Sequence, residues 1–184
     1  MLYQKKISSG IGSIKRISHC VPPATLHNIY HGLVQSHFDY YSVVWVTVPK
    51  HYLTNYRDSQ NHAVHILTLS SYDADANQLL TELGWDNLET RQQKLRAEMV
   101  YKSLNGLTPN YLSSKFILRS DVITSYNFRD SDNKLAIPLP CTNYYKNSFA
   151  YSGAVLWNSL PSAARQATSL TNFQQLINSD TAFM

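Results

Sequence analysis

Cysteine is scarce in this chain: Cys20 and Cys141 are the only two in 184 residues, too few for a disulfide framework. No Gly-x-Ser-x-Gly elbow, phosphate-binding Gly-Lys loop or dinucleotide fingerprint occurs, which excludes the common sequence signatures of hydrolase, nucleotidase and dehydrogenase sites. The stretch "SSGIGS" at 8–13 contains glycine but falls inside a helical pattern, where a phosphate loop does not belong. No apolar run approaches the ~20 residues of a membrane span, and the start "MLYQKKISSG" has no apolar signal core. The expectation is a soluble intracellular protein, with cytosol and nucleus equally open. Charged residues make up only 15% of the chain, against a usual value of about 25%.

What is present is apolar and aromatic. Hydrophobic residues reach 43%, enough for one good core or two small ones, and thirteen tyrosines supply amphipathic contact surface as well as packing. The net charge of +4 is unevenly placed. Residues 1–70 hold six basic residues against two acidic ones, whereas residues 71–184 hold ten of each; all seven histidines precede residue 66. A polyanion would therefore be met by the first 70 residues, although a plain solvated basic surface has the same composition.

Helical periodicity dominates. Ile7, Ile11, Ile14 and Ile17 form a stripe that "VPP" at 21–23 interrupts. Leu26, Ile29, Tyr30, Leu33 and Val34, then Phe38, Tyr41, Val44, Trp45 and Val48, continue the pattern to Pro49, with a break expected near Ser36–Asp39, where capping-type side chains cluster. A third stretch carries Leu53, Tyr56, Gln60, Ala63, Val64 and Leu67. Further helices are expected before Gly84, over "WDNLETRQQKLRAEMVYKSLNG" with Asp86 or Asn87 as cap, briefly after Pro109, up to "LWNSLP", and around Leu170, Phe173, Leu176 and Ile177. "VITSYNF" and "LAIPLP" alternate around "RDSDNK" and predict one β-hairpin near 122–140. Pro138 and Pro140 lack amide hydrogens and would place its second strand at an edge. The predicted fold is mainly α: a small helical bundle over 1–70, then a helix-rich extension with the hairpin over 71–184.

Three constellations invite chemistry. Tyr72-Asp73-Ala74-Asp75 is close to the Tyr-x-Asp-Asp box of reverse transcriptases, but its aspartates are separated by Ala74 and lead into a helical run, so the cap role is the expected one, beginning with Asp73. His27 and His31 stand four apart, the spacing at which two imidazoles can share a metal, yet the glutamate of a zinc hydrolase is missing; polar-face histidines are expected there and at His62 and His65. The third is the first helix. At about 100° per residue from Lys5, its isoleucines fall between about 120° and 240°, while Lys6, Lys15 and Arg16 fall on the other side, between about 280° and 100°. Such a basic face can lie along a phosphate backbone or simply face water. Gly10 and Gly12 count against the helix.

Several segments, in order, carry a family resemblance: "KKISSGIGSIKRIS", "YHGLVQSHFDYYSVVW", "ELGWDNLETRQQK", "MVYKSLNGLTPNYLSS", "SYNFRDSDNKLAIPLP" and "SFAYSGAVLWNSLP". From about Lys5 to Phe183 the chain resembles the carboxy-terminal end of jockey-like, LINE-type non-LTR retrotransposon reverse transcriptases. The resemblance implies a thumb-like bundle over 1–70 and a carboxy-terminal extension beyond it. A thumb grips the RNA/DNA template–primer duplex and performs no chemistry; Lys5, Lys6, Lys15 and Arg16, and after them Arg57, are then the residues for backbone contact. The parent family is an RNA-directed DNA polymerase whose catalytic aspartates, and the magnesium they hold, belong to a palm that would precede Met1, so no catalytic residue, metal site or cofactor is expected in this chain. A missing palm is a further expected partner.

The chain departs from the family at three places. His62 and His65 stand in the third thumb helix where an "Asn-Arg-Ala-x-Arg" stretch is usual, and Cys141 replaces the arginine of "LPRTNYYK". Each is one C-to-T or G-to-A step from an arginine codon, the pattern of a decaying element copy, and two neutral histidines would weaken phosphate grip at pH 7. A second reading is a protein-interaction or self-association module without nucleic acid, resting on the tyrosines, on Trp45, Trp85 and Trp157, and on the neutral second half.

Overall fold

The computed structural model describes residues 2–40, 42, 50–122 and 133–179. The isoleucine stripe becomes helix α1, Leu2–Ile17, with Ile7, Ile11 and Ile14 buried. Gly10 does not break it. A Cβ at Gly10 would lie 3.1 Å from Val34 Cγ2 and 3.2 Å from the Leu33 carbonyl oxygen, so a residue without a side chain is what lets α1 approach the segment after α2.

Pro23 opens α2, Pro23–Tyr30, at a position whose amide hydrogen a helix does not need. The chain then passes through a π-turn, His31–Gln35, into α3, Ser36–Tyr40. The break expected near Ser36–Asp39 is therefore absent; the irregularity comes one turn earlier, as a change of hydrogen-bond register. Leu26, Tyr30, Val34 and Phe38 are all buried. Four-residue spacing drifts around a helix of about 3.6 residues per turn, and the wider π-turn takes up that drift, keeping the four on one face.

Helix α4 spans Lys50–Thr68 and buries Gln60, Ala63, Val64 and Leu67. It ends in a Schellman pair: the Ser70 amide donates to the His65 carbonyl at 3.2 Å and the Leu69 amide to that of Ile66 at 3.4 Å. Leu69 fills the left-handed position of this motif with φ +52°, where glycine is usual. Helix α5, Ala76–Glu82, is capped by Asp75, whose carboxylate accepts from the Asn77 amide at 3.0 Å. The cap is thus two residues later than Asp73, next to the first helical residue. Gly84, at φ +66°, closes α5.

Helix α6, Leu88–Leu104, starts under an Asn87 cap, with the Thr90 amide donating to Asn87 Oδ1 at 2.8 Å, and ends at Gly106, φ +68°. The chain divides into two compact units inside this helix: the described residues up to Arg91 form the first, those from Gln92 onward the second. Residues 71–91, placed with the extension on sequence, belong to the first unit.

In the second unit α7 (Asn110–Ser113), a 3-10 turn (Arg119–Asp121), α8 (Asn143–Lys146), α9 (Phe149–Ser159), α10 (Ser162–Arg165) and α11 (Leu170–Ser179) follow α6. Trp157, Phe173, Tyr101, Phe116, Val100 and Ile177 dominate one apolar cluster. Gly153 brings α9 against α6: a Cβ there would stand 3.0 Å from Val100 Cγ2 and 3.3 Å from the Phe116 ring.

No strand forms among the described residues, and the chain is mainly α. Of the hairpin expected near 122–140, residues 123–132 lie outside the described residues. The described part, 133–140, makes a single antiparallel bridge, and its partner is Leu118, opposite Leu135, with bonds from the Arg119 amide to the Lys134 carbonyl (2.9 Å) and from the Ala136 amide to that of Ile117 (2.8 Å). The pairing does not propagate beyond Ala136, because the next donor towards that segment would come from Pro138, which has none, as Pro140 has none. On the opposite edge the Asn158 side-chain amide occupies both backbone groups of Leu135, accepting from its N–H at 2.8 Å and donating to its C=O at 2.9 Å, where a further strand would otherwise pair.

Candidate nucleic-acid interface

Alternation of isoleucine with polar residues leaves one side of α1 facing water, and Lys5, Lys6, Lys15 and Arg16 are all exposed there. Lys15 and Arg16 lie in the last turn, where a positive charge also suits the helix dipole. Arg57, on the exposed side of α4, is committed to an ion pair with Glu89. The structure therefore gathers the four α1 cations on one helix and gives Arg57 an internal partner.

Two grooves flank this ridge. One, of about 450 Å³, is lined by Lys5, Lys6, Ser9, Gly10, Ser13, Leu33 and His37; no acidic residue is among them. The other, of about 800 Å³, lies between α1, α4 and the turn before α5. It is mixed in character: Lys15, His62 and His65 share it with Asp58, Asp75 and Tyr72. His62 and His65 thus face a groove rather than forming a ligand set, and among the described residues no group of three metal-ligating side chains exists.

The walls of the mixed groove are braced. His65 Nδ1 and Ser70 Oγ are 3.1 Å apart, and Thr68 Oγ1 donates to Ser70 Oγ at 2.9 Å. The His65 ring in turn stacks on Tyr72, with centroids 6.1 Å apart and planes at 29°. Tyr72 remains 86% exposed, an aromatic face presented to solvent.

His27 and His31 are used differently. Both meet the edge of Trp85, at 5.3 and 5.1 Å, while Tyr30 stacks on the same indole at 4.8 Å and 15°. This is a packing role. Partial burial lowers the His31 pKa, aided by the nearby Arg91 and His27 charges and opposed by Asp39. Burial likewise pushes the Tyr30 phenol well up. Beside them Asp39 receives a fork from Arg91, Nε to Oδ1 and Nη2 to Oδ2, each 2.7 Å. That hydrogen bond is the main cause that raises the Arg91 pKa, so this pair fixes α3 to the start of α6 and is not spare charge.

Cys20 and Cys141 are free and exposed. No described helix is long and apolar enough to cross a membrane. Sequence reasoning missed His37 as a groove residue, Glu89 as the partner of Arg57, and the pairing of Asp39 with Arg91. None has a local signal, because the partners come from different helices. Tyr72 was visible only as part of a mock polymerase box; its exposure before a capped helix is the clue to its use. No protein-family model, curated protein or solved structure matches this chain.

Proposed function

We propose that the chain is a non-catalytic nucleic-acid-binding module, the thumb-like region and carboxy-terminal extension of a non-LTR retrotransposon reverse transcriptase, which holds an RNA/DNA template–primer duplex weakly through its phosphates. The observation that carries this reading is the acid-free groove of Lys5, Lys6, Ser9, Ser13 and His37 beside the exposed Lys15 and Arg16. Ammonium groups supply long-range attraction, and the Ser9 hydroxyl supplies a short hydrogen bond to a phosphate oxygen, whereas that of Ser13 donates to the Ser9 carbonyl at 3.0 Å. The family assignment itself rests on the sequence resemblance, and the polymerase activity of that family resides in residues this chain does not contain. Arg57 contributes little, since Glu89 already neutralises it.

The test is binding of a labelled RNA–DNA hybrid to the full chain across a salt series. Affinity should fall steeply with salt, by roughly 0.9 in log–log slope for each phosphate contact on a duplex. The double variant Lys5→Glu/Lys6→Glu should weaken binding and flatten that slope by about two contacts' worth. Salt-independent binding, or an unchanged slope in the double variant, refutes the reading.

A second reading has its own observation. The second unit exposes Leu107, Tyr111, Leu139 and Tyr144, with Leu139 at 91% and Tyr144 at 89%. Large apolar side chains in water favour a protein-interaction or self-association role. Concentration-dependent sedimentation without hybrid binding would select it.

A further inference from the structure

The two grooves beside α1 differ in sign, and the difference assigns them different ligand parts. A phosphate fits the acid-free groove. It suits the other less, where the exposed Asp58 and Asp75 line the groove and Lys15 is the permanent cation among the described lining residues. That second groove offers instead a flat aromatic face, Tyr72, held by stacking on His65 and lying open to solvent. It also offers carboxylate acceptors and the side-chain amides of Asn61 and Asn77, and its volume of about 800 Å³ is ample for a single nucleobase.

We propose that the groove between α1, α4 and the Tyr72–Asn77 turn seats one unpaired base of a single-stranded nucleic acid. The base lies on Tyr72, its exocyclic amino group donates to the Asp58 and Asp75 carboxylates, and Lys15 holds the adjoining phosphate at the rim. This deepens the backbone-binding reading and rests on it. The carboxylates act in two ways. They repel a phosphate from the groove, so the base enters and the backbone stays on the α1 ridge. They also accept hydrogens, so bases with an amino group are favoured over uracil, which offers carbonyl oxygens at the matching positions. Asp75 can serve while capping α5, because its Oδ1 accepts from the Asn77 amide and a carboxylate has further lone pairs.

The test uses the full chain with three labelled probes: oligo(C), oligo(U) and an RNA–DNA hybrid of the same length. Tyr72→Ala should weaken oligo(C) binding about tenfold and leave the hybrid within about twofold, since stacking on an aromatic side chain is lost only for a splayed base. Tyr72→Phe, which keeps the ring, should restore the wild-type affinity. Wild type should prefer oligo(C) to oligo(U), two pyrimidines of similar stacking area that differ in the amino group. Equal affinity for the two, or equal loss of oligo(C) and hybrid in Tyr72→Ala, overturns the proposal. Hybrid binding that persists while oligo(C) does not bind also overturns it and leaves the backbone reading standing. Binding of neither probe at low salt ends both.

Discussion

The two units solve one problem with the same device in different surroundings. In the first, the buried Gln60 amide bridges the turn before α6: its Oε1 accepts from the Leu88 amide at 2.9 Å and its Nε2 donates to the Asp86 carbonyl at 3.2 Å. In the second, Asn158 does the same for Leu135. Around Gln60 the braces are largely polar or mixed: the Asp39–Arg91 fork, the Arg57–Glu89 pair and the Tyr30–Trp85 stack with its two histidines. Around Asn158 the surroundings are mainly apolar. Trp157 stacks near Phe173 at 5.8 Å, Tyr101 on Phe173 at 4.6 Å, and Phe116 meets Phe149 edge-on at 5.2 Å. By these bounds the first unit balances seven basic residues against seven acidic ones, so opposite charges are at hand for internal pairs. The second holds nine basic residues against five acidic ones, and its core relies on aromatic area removed from water.

The largest break in this comparison is Trp157→Ala. It removes the largest fully buried side chain and its 2.7 Å bond to the Asn133 carbonyl, and should cost about 3–5 kcal/mol in urea unfolding. A loss below about 1 kcal/mol would contradict a core built on that indole. Next come the clamps. Gln60→Leu and Asn158→Leu each orphan a backbone N–H and a C=O, and each should cost about 1–3 kcal/mol. If only one variant is destabilised, the parallel between the units fails.

The smallest effect has the opposite sign. Leu69→Gly relieves the left-handed leucine, whose side chain is mostly exposed, and should raise stability by about 1 kcal/mol after the extra freedom of unfolded glycine is offset. A thermal melt shifted downward would show that the Leu69 side chain contributes contacts that outweigh its strain.

Much of this was legible locally. Gly84 and Gly106 announce their helix ends because only glycine adopts positive φ without cost, and both close Schellman turns, with the Trp85 amide on the Leu80 carbonyl (2.8 Å) and the Leu107 amide on that of Lys102 (2.9 Å). Leu69 does the same without announcing it. The isoleucine face of α1 and the exposure of its lysines follow from periodicity alone. The apolar stripe of α2 and α3 was legible too, but its π-turn was not, since a register change depends on what the helix packs against.

The candidate site divides in the same way. Sequence placed the cations on α1; it could not say that one flank lacks acid and the other carries Asp58 and Asp75, because those residues arrive on α4 and on the turn before α5. The capping role of the Asp73–Asp75 stretch was readable, but which aspartate caps was settled by where the first helical turn begins, at Ala76.

The sequence by itself determined a mainly helical chain, its helix stops, and a net charge of +4 over its first 70 residues, since propensity, capping and charge are properties of neighbours along the chain. Only the tertiary structure decided that Asp39 binds Arg91, that Asn158 takes the place of a second strand beside Leu135, and that Tyr72 faces an open groove. Each joins groups from separate elements or exposes one of them, and such pairings are chosen by packing and by the cost of an unsatisfied buried polar group, which no local pattern records.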